Sequence, residues 1–187
     1  ISKSTHFIGC WNLENNNLCS NIIDFFESNK DLQIPGASGL GVDTKIKKTT
    51  DIVVKPIDLK NKKFEVLKKY IEELHKCFFD YQNQWPFLKT MLKTVYIPSF
   101  NIQRYEKGDH FSSLHSERTS LNTLHRLFAW MTYLNNVEDG GKTNFNHYGL
   151  KIKPEIGKTL IWPAEWTHAH KGEILKSGKK YIVTGWI

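Results

Sequence analysis

Apolar residues recur at intervals of three and four in two stretches of the first half of the chain, residues 18–28 (LCSNIIDFFES) and residues 64–79 (FEVLKKYIEELHKCFF). Both spacings predict amphipathic helices, the second a long one with Lys and Glu on its outer face. A short apolar segment, residues 7–13, precedes the first helix, and Pro35-Gly36, Gly39 and Gly41 break the pattern after it. Residues 36–50, Gly-rich and then Lys-rich, read as an exposed, mobile loop, and Asp51-Ile-Val-Val-Lys reads as a strand. From Thr94 onward the period changes. Short β-rich segments separated by turn signals occupy residues 95–104, 126–134, 143–145, 158–162, 168–173 and 180–187. This order predicts one α+β, mainly β domain over residues 1–187, with a barrel or sandwich at 94–187 and a helix-rich support at 1–93 packed outside one sheet.

Length and composition narrow the class. A chain of 187 residues with 40% hydrophobic and 24% charged residues is long enough for one buried core and too apolar for disorder. No apolar run approaches the roughly 20 residues of a membrane span, and the N-terminus lacks the apolar stretch of a signal peptide. Cys10, Cys19 and Cys77 form no C-x-x-C pair, which argues against a disulfide framework or a thiolate zinc site. The expectation is a soluble, cytoplasmic protein in a reducing compartment. The net charge of +7 favours acidic partners, but the Lys residues are spread along the chain as on a solvated surface, so nucleic acid is disfavoured as a partner.

Candidate chemistry begins at His115-Ser116-Glu117. On an extended segment, residues two apart project to one face, so this imidazole and carboxylate can grip one side of a metal ion. His168 and His170, about fifty residues downstream, are the sources of a second imidazole. Two His and one carboxylate on one face of an octahedron, with three positions open, is the arrangement of non-haem Fe(II) oxygenases. Taken alone, H-x-E also describes a surface His beside an acidic neighbour.

The residues around it form an ordered series. Tyr105-x-x-Gly108-x-x-Phe111 precedes the H-x-E; Arg126 is followed by Tyr133-Leu134-Asn135; then come Gly140-Gly141-Lys142-Thr143-Asn144-Phe145 and Pro154-x-x-Gly157-x-x-Leu160-x-Trp162-Pro163. His170-Lys171-Gly172 and Ser177-Gly178-Lys179-Lys180-Tyr181 close it. In order and spacing the series resembles the 2-oxoglutarate/Fe(II)-dependent dioxygenases of the prolyl 4-hydroxylase type, from residue 102 to the end of the chain. There are two departures: Glu117 stands where that family has Asp, and one extra residue separates Phe111 from His115.

The resemblance implies a double-stranded β-helix (jelly roll) that binds Fe(II) through His115, Glu117 and His170. In these hydroxylases a basic residue about ten positions beyond the distal His holds the far carboxylate of 2-oxoglutarate. His170 reaches Lys180 at that spacing, whereas His168 reaches Gly178, so His170 is the implied ligand and His168 a neighbour or mouth residue. Tyr133 would bond the same carboxylate, and Arg126 matches a substrate-facing position, at the entrance of its strand because its odd spacing from Tyr133 opposes their faces. On the last strand, Lys180, Ile182, Thr184 and Trp186 share one face, and Tyr181, Val183 and Ile187 the other, under the helices. His110, His125 and His147 read as ordinary polar residues.

The implied activity is hydroxylation of an unactivated C–H bond with O₂, yielding succinate and CO₂, with ascorbate as a possible reductant. The implied substrate is a prolyl residue in a peptide or protein. The 36–50 loop would close over it, Trp162 and Trp166 would offer flat apolar surface, and the basic loops would favour acidic neighbours. The alternatives are the same chemistry on a free amino acid or nucleobase, a non-catalytic jelly-roll binding module, and zinc hydrolysis. Nucleobase-demethylating relatives hold the cosubstrate with Arg, so Lys180 weighs against that branch. Oligomeric state is not legible.

Overall fold

The computed structural model describes residues 5–13, 15–39 and 41–187. Its elements in chain order are β1 (Gly9–Asn12), α1 (Asn16–Ser28), β2 (Ile34–Pro35), β3 (Lys47–Lys48), β4 (Thr50–Val54), α2 (Glu65–Gln84), α3 (Phe87–Met91) and β5 (Phe100–Tyr105). They continue with β6 (His110–His115), β7 (Phe128–Tyr133), β8 (Thr143–Phe145), β9 (Leu150–Ile152), β10 (Lys158–Pro163), β11 (His170–Gly172) and β12 (Lys180–Trp186). Two antiparallel sheets result, of order β1-β10-β7-β12-β5-β4-β2 and β3-β6-β11-β8-β9. This is the jelly-roll architecture, with helices on one side of the larger sheet.

The alternation of side chains along β7 and β12 separates two apolar layers. Phe128, Trp130, Tyr181 and Val183 face the helices, where Leu18, Ile22 and Phe26 of α1 and Leu67, Tyr70, Leu74 and Phe78 of α2 bury their stripes. Ala129, Met131, Tyr133 and Ile182 face inward, toward Phe145, Leu160 and Trp162. Asn15 caps α1 by accepting the Leu18 N–H, which ends the preceding extended segment. Close packing fixes one glycine: a Cβ at Gly185 would stand 2.6 Å from the Trp130 ring and 2.7 Å from Phe100 Cβ.

The N-terminal half supplies more than helical support. β1 extends the larger sheet by pairing with β10, β4 pairs with β5, and β3 pairs with β6 of the smaller sheet. Residues 36–50, expected to be an exposed loop, are exposed at 41–45 but anchored at both ends. Gly36 N–H donates to the Thr49 carbonyl, and the buried Lys47 ammonium binds Asp51 Oδ2 at 2.7 Å and the Ala37 carbonyl at 3.2 Å. Thr49 and Gln103 complete the shell of Asp51, donating at 2.7 and 3.1 Å. The loop is anchored because a buried ammonium is costly unless paired, and its partner sits on the adjoining strand. Asp51→Ala strands that ammonium, and the expected result is a loss of about 3 kcal/mol of stability, read as a lower urea midpoint at unchanged slope. A midpoint within error of wild type would mean that Lys47 reaches solvent instead.

Candidate metal centre and cosubstrate cavity

The pairing of β6 with β11 places His115 opposite His170. Glu117 lies just past the end of β6, tied by its N–H to the Ala164 carbonyl at 3.2 Å. One ligand atom from each of these three residues lies within 4.8 Å of the others. Both imidazoles are oriented by their own backbone: His115 Nδ1–H donates to the Ser113 carbonyl at 2.8 Å and His170 Nδ1–H to the His168 carbonyl at 3.0 Å. With each Nδ1 engaged by a backbone carbonyl, both Nε2 atoms are aimed at Glu117 Oε1, at 3.7 Å from His115 and 3.4 Å from His170. Phe111 stacks on His115 at 3.8 Å between ring centroids, and Trp162 and Phe145 hold the His170 ring at 5.0 and 5.4 Å.

Electrostatics show what the cluster lacks. Burial, reinforced by His170, pushes His115 down to about 4, so its imidazole is neutral at pH 7. Burial works against the Glu117 carboxylate, but His170, His115 and the Trp186 N–H outweigh it and hold the group at about 2. At neutral pH a lone pair of His115 therefore faces an ionised carboxylate with no proton between them. A cation satisfies all three donors at once. Ligands on one face of an octahedral divalent ion with bonds near 2.1 Å stand about 3 Å apart, a contraction from the 3.4 and 3.7 Å that separate the two imidazoles from Glu117. The donor set thus fits a 2-His-1-carboxylate metal.

The triad opens into a cavity of about 660 Å³ between the two sheets. Lys180, Ile182, Thr184 and Trp186 all contribute to its wall, as the alternation along β12 requires. Lys180 is buried, donates to the Gly141 carbonyl at 3.0 Å and lies 3.9 Å from the Tyr105 ring centroid, and no carboxylate among the described residues pairs with it. Burial, against a weaker pull from Glu173, lowers its pKa to about 7. The carbonyl it reaches belongs to the Gly140-Gly141 turn, where φ is 79° and 66° and a Cβ on Gly140 would meet the Ile174 carbonyl at 2.3 Å. A buried ammonium beside a cavity, held by a neutral acceptor and an aromatic face, suits an anionic ligand.

The other expected residues are distributed differently. Tyr133 is fully buried and donates its hydroxyl to Thr143 Oγ1 at 2.6 Å, so Thr143 is the hydroxyl on the cavity wall. Arg126 precedes β7 and lines the cavity, but its Nη1 donates to the Glu117 carbonyl at 3.1 Å and its guanidinium stacks on Trp186 at 3.6 Å. His168 is turned away from the triad: its Nε2–H donates to the His6 carbonyl and its Nδ1 pairs with the Thr167 hydroxyl. Trp162 lines the cavity, whereas Trp166 is exposed beside His147 at 6.0 Å. Sequence reasoning missed Thr143 and the bond from Trp186 Nε1–H to Glu117 Oε2 at 2.7 Å. Strand parity put Trp186 on the inner face, and nothing local to it announces a partner 69 positions away.

Two facing sheets carry a His/carboxylate/His cluster and a buried lysine on one cavity, the donor set that non-haem Fe(II) oxygenases use. Residues 100–187 match the model of the 2OG-Fe(II) oxygenase superfamily. Those residues, a little under half of the chain, are similar to that superfamily's oxygenase domain. Prolyl 4-hydroxylase 13 of Arabidopsis thaliana is 28% identical over 126 residues, covering 54% of this chain and 46% of the relative. The chain therefore spans about half the length of that protein. A Pseudomonas putida prolyl-4-hydroxylase superposes with a TM-score of 0.73 at 16% identity, covering 97% of this chain and 92% of that one. A Trichoplax adhaerens prolyl hydroxylase in complex with a hypoxia inducible factor peptide fragment gives 0.71 at 16% identity, over 97% and 83%. At these identities the structural likeness shows the fold, including the β-strands and helices of the first hundred residues. No helix among the described residues is long and apolar enough to cross a membrane.

Proposed function

We propose that the protein is an Fe(II)- and 2-oxoglutarate-dependent oxygenase that hydroxylates a prolyl residue of a peptide or protein. The observation that carries this reading is the pairing, on one cavity, of three convergent metal donors with a buried ammonium that no carboxylate among the described residues pairs with. His115, Glu117 and His170 would hold Fe(II), and Lys180 would bind the distal carboxylate of 2-oxoglutarate. Tyr133 would act on that carboxylate through Thr143, whose hydroxyl it already engages. When bound, iron and 2-oxoglutarate would supply the oxidising power for putting an oxygen atom of O₂ into a substrate C–H bond, with succinate and CO₂ as coproducts. The chain's own contribution is to orient and to exclude water. The carbonyls of Ser113 and His168 fix both imidazole tautomers, and Met131, Trp162 and Ile182 give the cavity an apolar lining beside Lys180.

The substrate is read from the mouth. Two segments border it, residues 37–39 with 46–47, and residues 113–123, and between them they offer polar Ser38, Ser120 and Thr123 and the half-exposed apolar Leu114. An open rim of that kind admits a chain-like ligand, with Arg126 offering guanidinium N–H groups not used on Glu117. The free thiols Cys10, Cys19 and Cys77 suit a reducing, cytoplasmic setting. Proline-containing peptides, neutral and acidic, incubated with protein, Fe(II), ascorbate and 2-oxoglutarate should gain about 16 Da on proline by mass spectrometry, one oxygen atom. Turnover stimulated only by free amino acids or oligonucleotides would overturn the prolyl assignment.

A further inference from the structure

A glutamate has one more rotatable bond than an aspartate, and its two oxygens can grip a cation singly or together. Here the two oxygens already have separate tasks. Oε1 faces the two imidazoles, at 3.4 and 3.7 Å, while Oε2 accepts from Trp186 Nε1–H at 2.7 Å and lies 3.9 Å from Arg126. Trp186 is itself held. It ends β12 opposite Ala129, and the Arg126 guanidinium covers its ring at 3.6 Å. The Arg126 Nη1–H then returns to the backbone carbonyl of Glu117 at 3.1 Å. The path runs from the Glu117 carboxylate to Trp186, to Arg126 and back to Glu117, so neither the side chain nor its donor turns independently.

The geometry points to Trp186, braced by Arg126, as a positioning residue that keeps Glu117 a one-oxygen metal ligand. Engaged through both oxygens, the carboxylate would take a second coordination position. Engaged through Oε1 alone, it leaves three positions of an octahedral ion for 2-oxoglutarate and O₂. The extra methylene of glutamate is thereby accommodated: the longer side chain reaches both the metal face and the indole, and the hydrogen bond removes its added freedom. This inference rests on the metal-centre reading.

Co(II), followed by its visible absorption in the absence of 2-oxoglutarate, separates the two. Wild type should bind Co(II), and His115→Ala should not; failure of wild type to bind would refute the metal centre itself. Trp186→Phe keeps an aromatic ring for Arg126 to cover and removes the N–H donor. Its Co(II) dissociation constant should rise about 10- to 100-fold with a changed visible spectrum, the range for loss of a group that orients a ligand. An affinity within twofold of wild type, with an unchanged spectrum, would overturn the inference while leaving the metal centre standing. Should Trp186→Phe fold poorly, the indole N–H resonance of metal-free protein decides. In Glu117→Ala the Trp186 signal should move upfield and exchange faster with solvent, and an unmoved signal would overturn the inference.

Discussion

Replacing His115 or His170 with alanine is expected to abolish Fe(II) binding and 2-oxoglutarate turnover together, whereas His168→Ala retains most of both. The asymmetry follows from where the rings point. The Nε2 atoms of His115 and His170 converge on Glu117 Oε1, while that of His168 is spent on the His6 carbonyl. Loss of a residue that merely orients a ligand costs about 10- to 100-fold in metal affinity, so loss of a ligand should cost more than about 100-fold. His168→Ala removes two hydrogen bonds remote from the metal donors and should lower stability by about 1–2 kcal/mol. The His168 carbonyl that orients His170 is backbone and survives the substitution. Metal titration of the three variants checks this; a dead His168→Ala beside an active His170→Ala would reverse the assignment of the distal ligand.

Lys180→Ala should weaken 2-oxoglutarate about 100-fold while leaving metal affinity within a factor of two. The lost interaction is a charge-assisted bond in a buried site, worth about 2–3 kcal/mol. Lys179→Ala is the control: Lys179 is half exposed and pairs with Glu106 at 3.3 Å, away from the cavity. The pH dependence carries a sign. Burial lowers Lys180 to about 7 in the ligand-free protein, so above that pH the free site is mostly neutral. A bound carboxylate favours the ammonium and raises that pKa, so binding takes up a proton above pH 7. The apparent dissociation constant should therefore rise with pH above about 7, by up to about tenfold per unit, and stay flat below it. Calorimetry in buffers of different ionisation enthalpy measures the proton taken up, and Lys180→Ala should abolish both the uptake and the slope. Equal effects of the two lysine substitutions would contradict the burial argument.

How far these features were legible depended on which physical signal each carried. The two long helices were readable because an amphipathic stripe is a local pattern, and α1 and α2 deviate from expectation only at their ends. Strands β7, β10 and β12 were readable because both of their faces are largely buried and the sequence is mainly apolar. Strand β6 was not. Its sequence, HFSSLH, puts polar Ser113 on the half-buried side and apolar Leu114 on the exposed side, so its polarity does not follow its burial, and it is a strand because β3 and β11 pair with it. Short β1, β2 and β3 were missed for a related reason: two to four residues hold no period, and only the neighbouring strand defines them.

At the site, motif spacing indicated His115, Glu117, His170 and Lys180, and the fold brings the first three together and sets Lys180 on the same cavity wall. Contacts made by rotation of a side chain were not legible. Tyr133, expected at the cosubstrate, donates to Thr143 of the cavity wall, and Arg126, expected to face substrate, lines the cavity while it engages Trp186 and Glu117. Lys47 was read as part of a solvated basic loop and is buried against Asp51, a pairing fixed by the turn between β3 and β4 that composition does not reveal.

The most direct test of the central claim is the stoichiometry of 2-oxoglutarate consumption. Protein loaded with Fe(II) and supplied with O₂ and a proline-containing peptide should convert 2-oxoglutarate to succinate, one molecule for each peptide hydroxylated, with His115→Ala at background. Succinate formation no greater than that of the His115→Ala variant, in protein shown to hold iron, would contradict the account.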